Sequence, residues 1–524
     1  MAKKGTTRLE TKTSRAVFPS PNQYVDREEQ VNKFSDVLDR IIRQGPVSTN
    51  LFEWYGSPGI GKSVLVSLLS QKADEKQSAW ASVNFKNSAS KLKKYFNDPV
   101  LLVEEIVFDL SKRAELDTRE FDKTLKGYKA ASLPKEGVVS AYAGMDQETR
   151  LYQRPVWLNE LRNVVVAFIK MVNTLPDPDE VHPVVLFFDE TEYADIDLVD
   201  WIEEWIINPL IQVKHCAIVW TARRPWRWKR PEIRRRLTSE MLKVFEPEMV
   251  KEQIESGSTK PDLVKELFKN VYSLTGGHPF ASSIVITELD ILANQGEEIT
   301  PKTFSDFETK LLADVFHKFI EDYAFRELKS KDLKTACKFM ALVRLFDATM
   351  MREVLRSCAG AAFKSWTQED FGNLLLKLKK TQLLVWEKGY AIDPGLRHII
   401  QKYFMASERK TFIAANKAAL RIYEDWLERP VDNRSLFIVE ELYHNAALLQ
   451  VNERKNLTAI LDIRLRDYPN RIKDEKALNN ALERLDGEIA NDRELEEWLP
   501  SNIDLLGQVQ KFREIQTSHK QNKK

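Results

Sequence analysis

Gly56-Ser57-Pro58-Gly59-Ile60-Gly61-Lys62-Ser63 matches the spacing G-x-x-x-x-G-K-[ST] and leaves few folds open to the chain. An apolar run, Leu51–Tyr55, precedes it and reads as a buried strand. The sequence KSVLVSLLSQKA follows and reads as a helix. A strand, a glycine turn and a helix in that order aim the turn's N–H groups and the helix's positive end at one anion. Glycine is scarce, 18 of 524 residues, so a chance match of this spacing is rare. The segment Gly56, Ser57, Pro58, Gly59, Ile60, Gly61, Lys62, Ser63 and Val64 is therefore expected to bind a nucleotide. Lys62 reaches the β- and γ-phosphates in that reading, and the Ser63 hydroxyl ligates Mg²⁺.

Further strands and helices alternate up to about residue 246. AWASVNF (79–85), PVVLFFDE and CAIVWTA are apolar strand runs, and MLKVFEP is a weaker one. Residues 98–173 read as mostly helical, and DLVDWIEEWIINPLIQ as an amphipathic helix. The pattern predicts an α/β domain with a parallel sheet.

Two strand ends carry candidate chemistry. Val184–Phe188 ends in Asp189 and Glu190, and ligands of parallel sheets sit at the carboxyl ends of strands. Asp189 is placed to hold Mg²⁺ and Glu190 to activate the attacking water as general base. Glu192 and Asp195 are expected to be solvated surface acids. Cys216–Ala222 ends in Arg223, a planar fork suited to reading a γ-phosphate, with Arg224 as the alternative. The catalytic candidates are thus Glu190, Lys62 and Arg223, and the metal candidates Ser63 and Asp189. Beyond Arg223 the stretch to Arg236 holds eight basic residues, one acid and two tryptophans, Trp226 and Trp228. Such a mixture suits single-stranded nucleic acid, a subunit interface or a nucleotide-sensing loop.

The formal charges nearly cancel, 79 basic against 78 acidic, which argues against a generally basic nucleic-acid coat. Three cysteines without paired spacing give neither a disulfide scaffold nor a zinc site. There is no apolar run long enough for a membrane span, and the basic first fifteen residues lack the apolar core of a secretory signal. A reducing cytoplasm is the expected setting.

After about residue 250 helical patterns dominate. The exception is Thr381–Pro394, where two short runs around Lys-Gly suggest a β-hairpin after helices, the order of a winged helix. Thr275-Gly276-Gly277-His278-Pro279 combines a helix stop with a helix start. The expected organisation is a flexible tail (1–20), a P-loop ATPase domain (21–247), a helical lid (248–325), a winged helix (326–400), a helical, TPR-like region (401–515) and a disordered basic tail (516–524).

The order Tyr24-Val25-Asp26-Arg27-Glu28, phosphate loop, Phe187-Phe188-Asp189-Glu190, Trp220-Thr221-Ala222-Arg223 and Gly276-Gly277-His278-Pro279 resembles the STAND class of P-loop ATPases. These are relatives of NOD-like receptors within the wider AAA+ and ORC-like group. The resemblance spans about residues 20–400. It implies that Val25 and Arg27 lie near the adenine, that Pro279 packs near the base and that His278 senses phosphate. Many members carry a latch histidine where this chain has Asp393, and a carboxylate cannot replace an imidazolium on a β-phosphate. The implied function is an ATP-hydrolysing switch, using ATP/ADP and Mg²⁺, that forms homo-oligomers on activation and signals to a separate effector. No effector enzyme is expected within residues 1–20. The alternative is a DNA-binding AAA+ ATPase of the ORC or helicase-loader type.

Overall fold

The computed structural model describes residues 27–86, 89–152, 154–174, 181–386, 388–429, 433–451, 457–472, 474–499 and 504–521. Val25 and the residues 1–20 lie outside them. Five parallel strands build the first half: β1 (Leu51–Tyr55), β2 (Ala79–Asn84), β3 (Val184–Asp189), β4 (Cys216–Ala222) and β5 (Leu237–Met241). Their spatial order is β2-β3-β4-β1-β5. With helices on both faces this is the α/β P-loop NTPase fold, followed by helical units. Because β4 lies between β1 and β3, its end stands between the phosphate loop and the acidic pair. Tyr55 pairs with Ala222 and Phe188 with Trp220, so the three carboxyl ends finish level.

β3 and β4 are buried along their whole length, as continuous apolar runs demand. Their side chains alternate between two cores. Val184, Leu186, Phe188, Ile218 and Trp220 enter one, and Val185, Phe187, Ala217 and Val219 the other. Helices α1 (Glu28–Ile42) and α2 (Lys62–Glu75) cover the second core, while the helices between residues 89 and 174 cover the first.

The fifth strand is not MLKVFEP but the preceding Leu237–Met241. It pairs with β1 alone, at the sheet edge, and its residues are half-buried or exposed, none fully buried. A strand with one neighbour and one wet side needs no apolar run, so hydrophobicity was a poor guide to it.

The basic, tryptophan-containing stretch is anchored from below by two buried acids that the sequence reading did not single out. Glu53 in β1 accepts hydrogen bonds from the Trp226 N–H (2.7 Å), the Trp228 indole (3.2 Å) and the Ser239 hydroxyl (2.5 Å). Burial pushes its carboxyl up from the ordinary range. Glu203 accepts from the Lys229 and Arg230 N–H groups at 2.7 and 3.0 Å. Trp228 is buried in the core and Trp226 packs against it, so neither ring is a free platform for a base.

In the second half, the helices Pro247–Gly257, Phe268–Thr275, α3 (Pro279–Asn294) and Phe304–Val315 form a lid-like bundle. Helices Lys331–Met340, Ala348–Cys358 and Gln368–Lys380 precede a hairpin of β6 (Leu384–Trp386) and β7 (Tyr390–Ile392). That is the winged-helix order read from Thr381–Pro394. α4 (Pro394–Ser407) leads into the remaining helices. One apolar core runs through all of them, from Phe245 to Phe512. A buried ionic cluster adds to it: Arg344 pairs with Glu440 and Asp492, each at 2.6 Å, and Arg397 with Glu494. The last helix, Leu505–Gln521, continues through residues 516–521, where a disordered tail was expected; no Gly or Pro interrupts it after Gly507. Among the described residues, no helix is long and apolar enough to cross a membrane.

Candidate nucleotide site

The loop between β1 and α2 takes backbone shapes that only glycine adopts without strain: φ is 79° at Gly59 and 102° at Gly61, the residue capping α2. A Cβ at Gly59 would stand 3.0 Å from Phe280 Cβ and 3.1 Å from His278 Cε1, so the lid presses directly on the loop. The Gly56 N–H donates to the Ala222 carbonyl (3.2 Å) and ties the loop to β4. Lys62 is buried, and its ammonium donates to the carbonyls of Gly56 (2.8 Å) and Ser57 (3.1 Å). Burial pulls its pKa down, against the opposing pull of Glu192. Ile60 is buried, whereas Ser63 on the first turn of α2 is exposed. Arg27 is buried and donates to the Ile60 (2.8 Å) and Lys243 (3.3 Å) carbonyls, with its guanidinium over the Phe245 ring. It braces the outer side of the loop.

At the end of β3, Asp189 is buried and clamped. Its Oδ1 accepts from the Thr221 hydroxyl (2.5 Å) and its Oδ2 from the Asn84 amide (2.8 Å). Glu190 has φ 55°, in the left-handed region. Its N–H donates to Thr221 Oγ1 (3.1 Å), and its carboxylate meets the Lys86 ammonium at 3.1 Å. Burial raises its pKa, with Lys86 pulling the other way. Thr221, Asn84 and Lys86 were not among the candidates from sequence. Each follows or ends a strand level with β3, and only the sheet register shows that.

Ser63 and Asp189 present oxygen donors only, which suits Mg²⁺. Among the described residues no cluster of three His, Cys, Asp or Glu could cage a metal, so phosphate oxygens and water would complete its shell.

Arg223 is mostly buried in the joint between units. Its Nε lies 3.1 Å from Glu192 Oε1, and it donates to the Tyr193 hydroxyl (2.9 Å) and to the Thr381 carbonyl (3.3 Å) of the winged helix. Glu192 is therefore no surface acid: its side chain is 4% exposed. The turn Thr191–Tyr193 after β3 folds it back under β4. Asp195 is exposed and caps the helix Ile196–Ile202. Arg224, the alternative to Arg223, is part-buried facing Asp393, and burial lowers its pKa.

The lid reaches the loop through His278. Gly276 ends one helix in the left-handed region (φ 60°), and His278 caps α3 with Pro279 as first helical residue. The buried imidazole accepts from the Ala281 N–H (3.5 Å), so its proton sits on Nε2 and donates to the Pro58 carbonyl (3.0 Å). Burial pulls the ring's pKa down to about 3. Between pH 6.5 and about 3 the unfolded chain takes up a proton that the native ring refuses. Stability therefore falls as pH falls through that window. His444, also buried and lowered to about 3, adds a second proton. His278→Gln is expected to flatten the acid limb by about 1.4 kcal/mol per pH unit. Denaturant unfolding at pH 4.5, 5.5 and 6.5 measures this; an unchanged slope would show that His278 titrates normally.

The winged helix reaches the same loop through Asp393. Both carboxylate oxygens lie 2.7 Å from the Ser57 hydroxyl, and Oδ1 also accepts from the N–H groups of Gly395 (3.0 Å) and Leu396 (3.3 Å). Asp393 thus caps α4 and holds the phosphate loop at once. Lid and winged helix meet there too: a Cβ on Gly395 would lie 3.0 Å from His278 Cδ2 and 3.7 Å from Ser57 Oγ.

No family model and no curated protein matches the sequence. Among solved structures the chain is similar to a Walker-type ATPase of Pyrococcus abyssi, at 14% identity and TM-score 0.41, over 74% of this chain and 99% of that one. It is also similar to the ADP form of the ORC2 protein of Aeropyrum pernix, at 14% identity and TM-score 0.40, over 76% and 97%. A third likeness is to Cdc6p of Pyrobaculum aerophilum, at 12% identity and TM-score 0.33, over 74% and 96%.

Proposed function

We propose that the chain binds ATP and ADP at Gly56–Val64, hydrolyses ATP, and uses the nucleotide state to set how lid and winged helix pack on the phosphate loop. The observation that carries this reading is the meeting of four groups at the level strand ends: the glycine loop, Asp189 with Glu190, His278 of the lid and Asp393 of the winged helix. Lys62 and the loop N–H groups hold the phosphates. Ser63 and Asp189 would hold Mg²⁺, which supplies charge neutralisation of the phosphate oxygens when bound. Glu190 orients and deprotonates water, Arg223 reports the phosphate side to the winged helix, and Arg27 and Pro279 border the base. In this STAND-type switch ADP favours the closed packing, and ATP favours an open form that assembles into homo-oligomers and engages a separate effector. The mechanism needs only different affinities of the two nucleotides for the two states.

Lys62→Ala is expected to weaken ADP and ATP binding at least about a hundredfold, read by titration calorimetry, because the loop loses the ammonium carried by its own sequence. Unchanged affinity would place the nucleotide elsewhere. The ORC-like, DNA-binding reading is favoured by a different observation. At the hairpin tip Trp386 is 66% exposed, beside Tyr390, whose ring the Lys379 ammonium covers at 4.9 Å. On that reading duplex DNA binds at low salt with a slope of several ions, and Trp386→Ala weakens it; on the switch reading neither occurs.

A further inference from the structure

Where the end of β4, the end of the lid and the winged helix meet, there is a cavity of about 300 Å³, at the lower end of ordinary ligand pockets. It is separate from the glycine loop. Its floor is the ion pair of Glu192 with Arg223. One Glu192 oxygen faces Arg223; the other, Oε2, is buried and has no hydrogen-bond partner. A buried carboxylate oxygen without a donor is costly, and in native structures such an atom calls for a partner.

Lys377 and Lys380 also line the cavity, three residues apart and so on one helix face. Both are exposed, and neither has an ion pair among the described residues. Lysines in a last helical turn also complement the helix dipole, but that accounts for their type and not for the orphaned oxygen of Glu192, which lines the same cavity. Leu328 and Leu333 form an apolar wall. The turn at the cavity's edge is under backbone strain. Gln382 has φ 56°, and its amide donates to the Glu192 carbonyl (3.3 Å). Strain of this kind persists where surrounding contacts dictate it, commonly beside ligand sites.

We infer that this cavity binds a small phosphorylated molecule bearing an N–H donor, of the size and class of a nucleoside monophosphate. The phosphate would lie on Lys377 and Lys380, the body on the leucine wall, and an exocyclic amine would donate to Glu192 Oε2. The walls come from all three units, so the ligand stabilises the packing that forms the cavity. By linkage it changes the affinity of the glycine loop for its own nucleotide by the same factor that nucleotide changes its own.

The test is calorimetry of AMP into the full chain already saturated with ADP. Expected is one AMP per chain beside the bound ADP. In Lys377→Ala/Lys380→Ala the AMP affinity should fall at least tenfold while ADP affinity measured without AMP stays the same. Both lysines are exposed, so the variant folds, and its unfolding midpoint checks that. No AMP binding beside ADP, displacement of ADP by AMP, or equal AMP affinity in the double variant would each overturn the proposal. The direct ADP titration separates this from failure of the glycine-loop reading. If ADP does not bind, AMP is titrated into the Lys62→Ala chain, where the same lysine dependence decides.

Discussion

Glu190→Gln should lower ATP turnover by about two to four orders of magnitude while leaving ATP affinity within a few-fold. The substitution keeps the shape of the side chain and removes its basicity. The carboxylate sits beside Lys86 at 3.1 Å, and the N–H of Glu190 is fixed by Thr221, so an amide can occupy the same place. Glutamine also takes the left-handed conformation at Gln44, Gln77 and Gln382 of this chain, so the backbone at Glu190 does not forbid it. Burial raises the carboxyl pKa, so wild-type turnover should fall with falling pH through a limb above the ordinary carboxylate value of 4.5. That limb should be missing in the variant. Turnover within threefold of wild type would remove Glu190 as the base. The variant also traps any ATP-bound form. Light scattering with ADP, then with ATP and Mg²⁺, should show a monomer become a discrete multiple. A monomer under both conditions would overturn nucleotide-driven assembly of the chain by itself.

Ser57→Ala should release ADP about ten to a hundred times faster than wild type. The Ser57 hydroxyl lies 2.7 Å from both oxygens of Asp393, and a hydrogen bond to a charged group contributes about 1.5–3 kcal/mol. At about 1.4 kcal/mol per decade this gives the stated range, if the bond breaks before ADP leaves. Serine is the better target because Asp393 has two tasks. Asp393→Ala would also uncap α4, at about 0.5–2 kcal/mol, whereas Ser57→Ala leaves the bonds to Gly395 and Leu396 in place. Asp393→Asn, which keeps the cap and removes the charge, should give an intermediate rate. Stopped-flow release of a fluorescent ADP analogue reads all three. Release at the wild-type rate in Ser57→Ala would show that the winged helix does not hold the nucleotide through this contact.

The parts of the site legible in the sequence are those made by neighbours along the chain. The glycine loop, the Asp189–Glu190 strand end and the Thr275–Pro279 turn each carry their chemistry within a few residues, so spacing and residue type suffice. Asp393 could likewise be placed at the end of a hairpin. The resemblance implies a histidine there, and no local pattern tells what an aspartate in its place would bind. The acid proved to act on the loop's Ser57, not through an imidazolium on phosphate. The burial of Glu192 is equally invisible to local pattern. An acid following a strand is ordinarily wet, and only the fold-back of Thr191–Tyr193 under β4 buries it against Arg223.

Composition and local pattern by themselves determined that this chain has a parallel α/β half with a phosphate loop and a helical half with a hairpin. Those features follow from apolar periodicity and from backbone freedom at Gly59 and Gly61, which act over one or two turns of chain. The tertiary structure alone decided what the loop touches. Ser57 and Asp393 are 336 residues apart, Pro58 and His278 are 220 apart, and Glu53 and Trp226 are 173 apart. No periodicity carries information over such distances. The first two contacts exist because burying one continuous core from Phe245 to Phe512 brings the lid and α4 onto the loop, and the third because β1 pairs beside β4, whose end leads to Trp226; in each case buried polar groups had to find partners in one another.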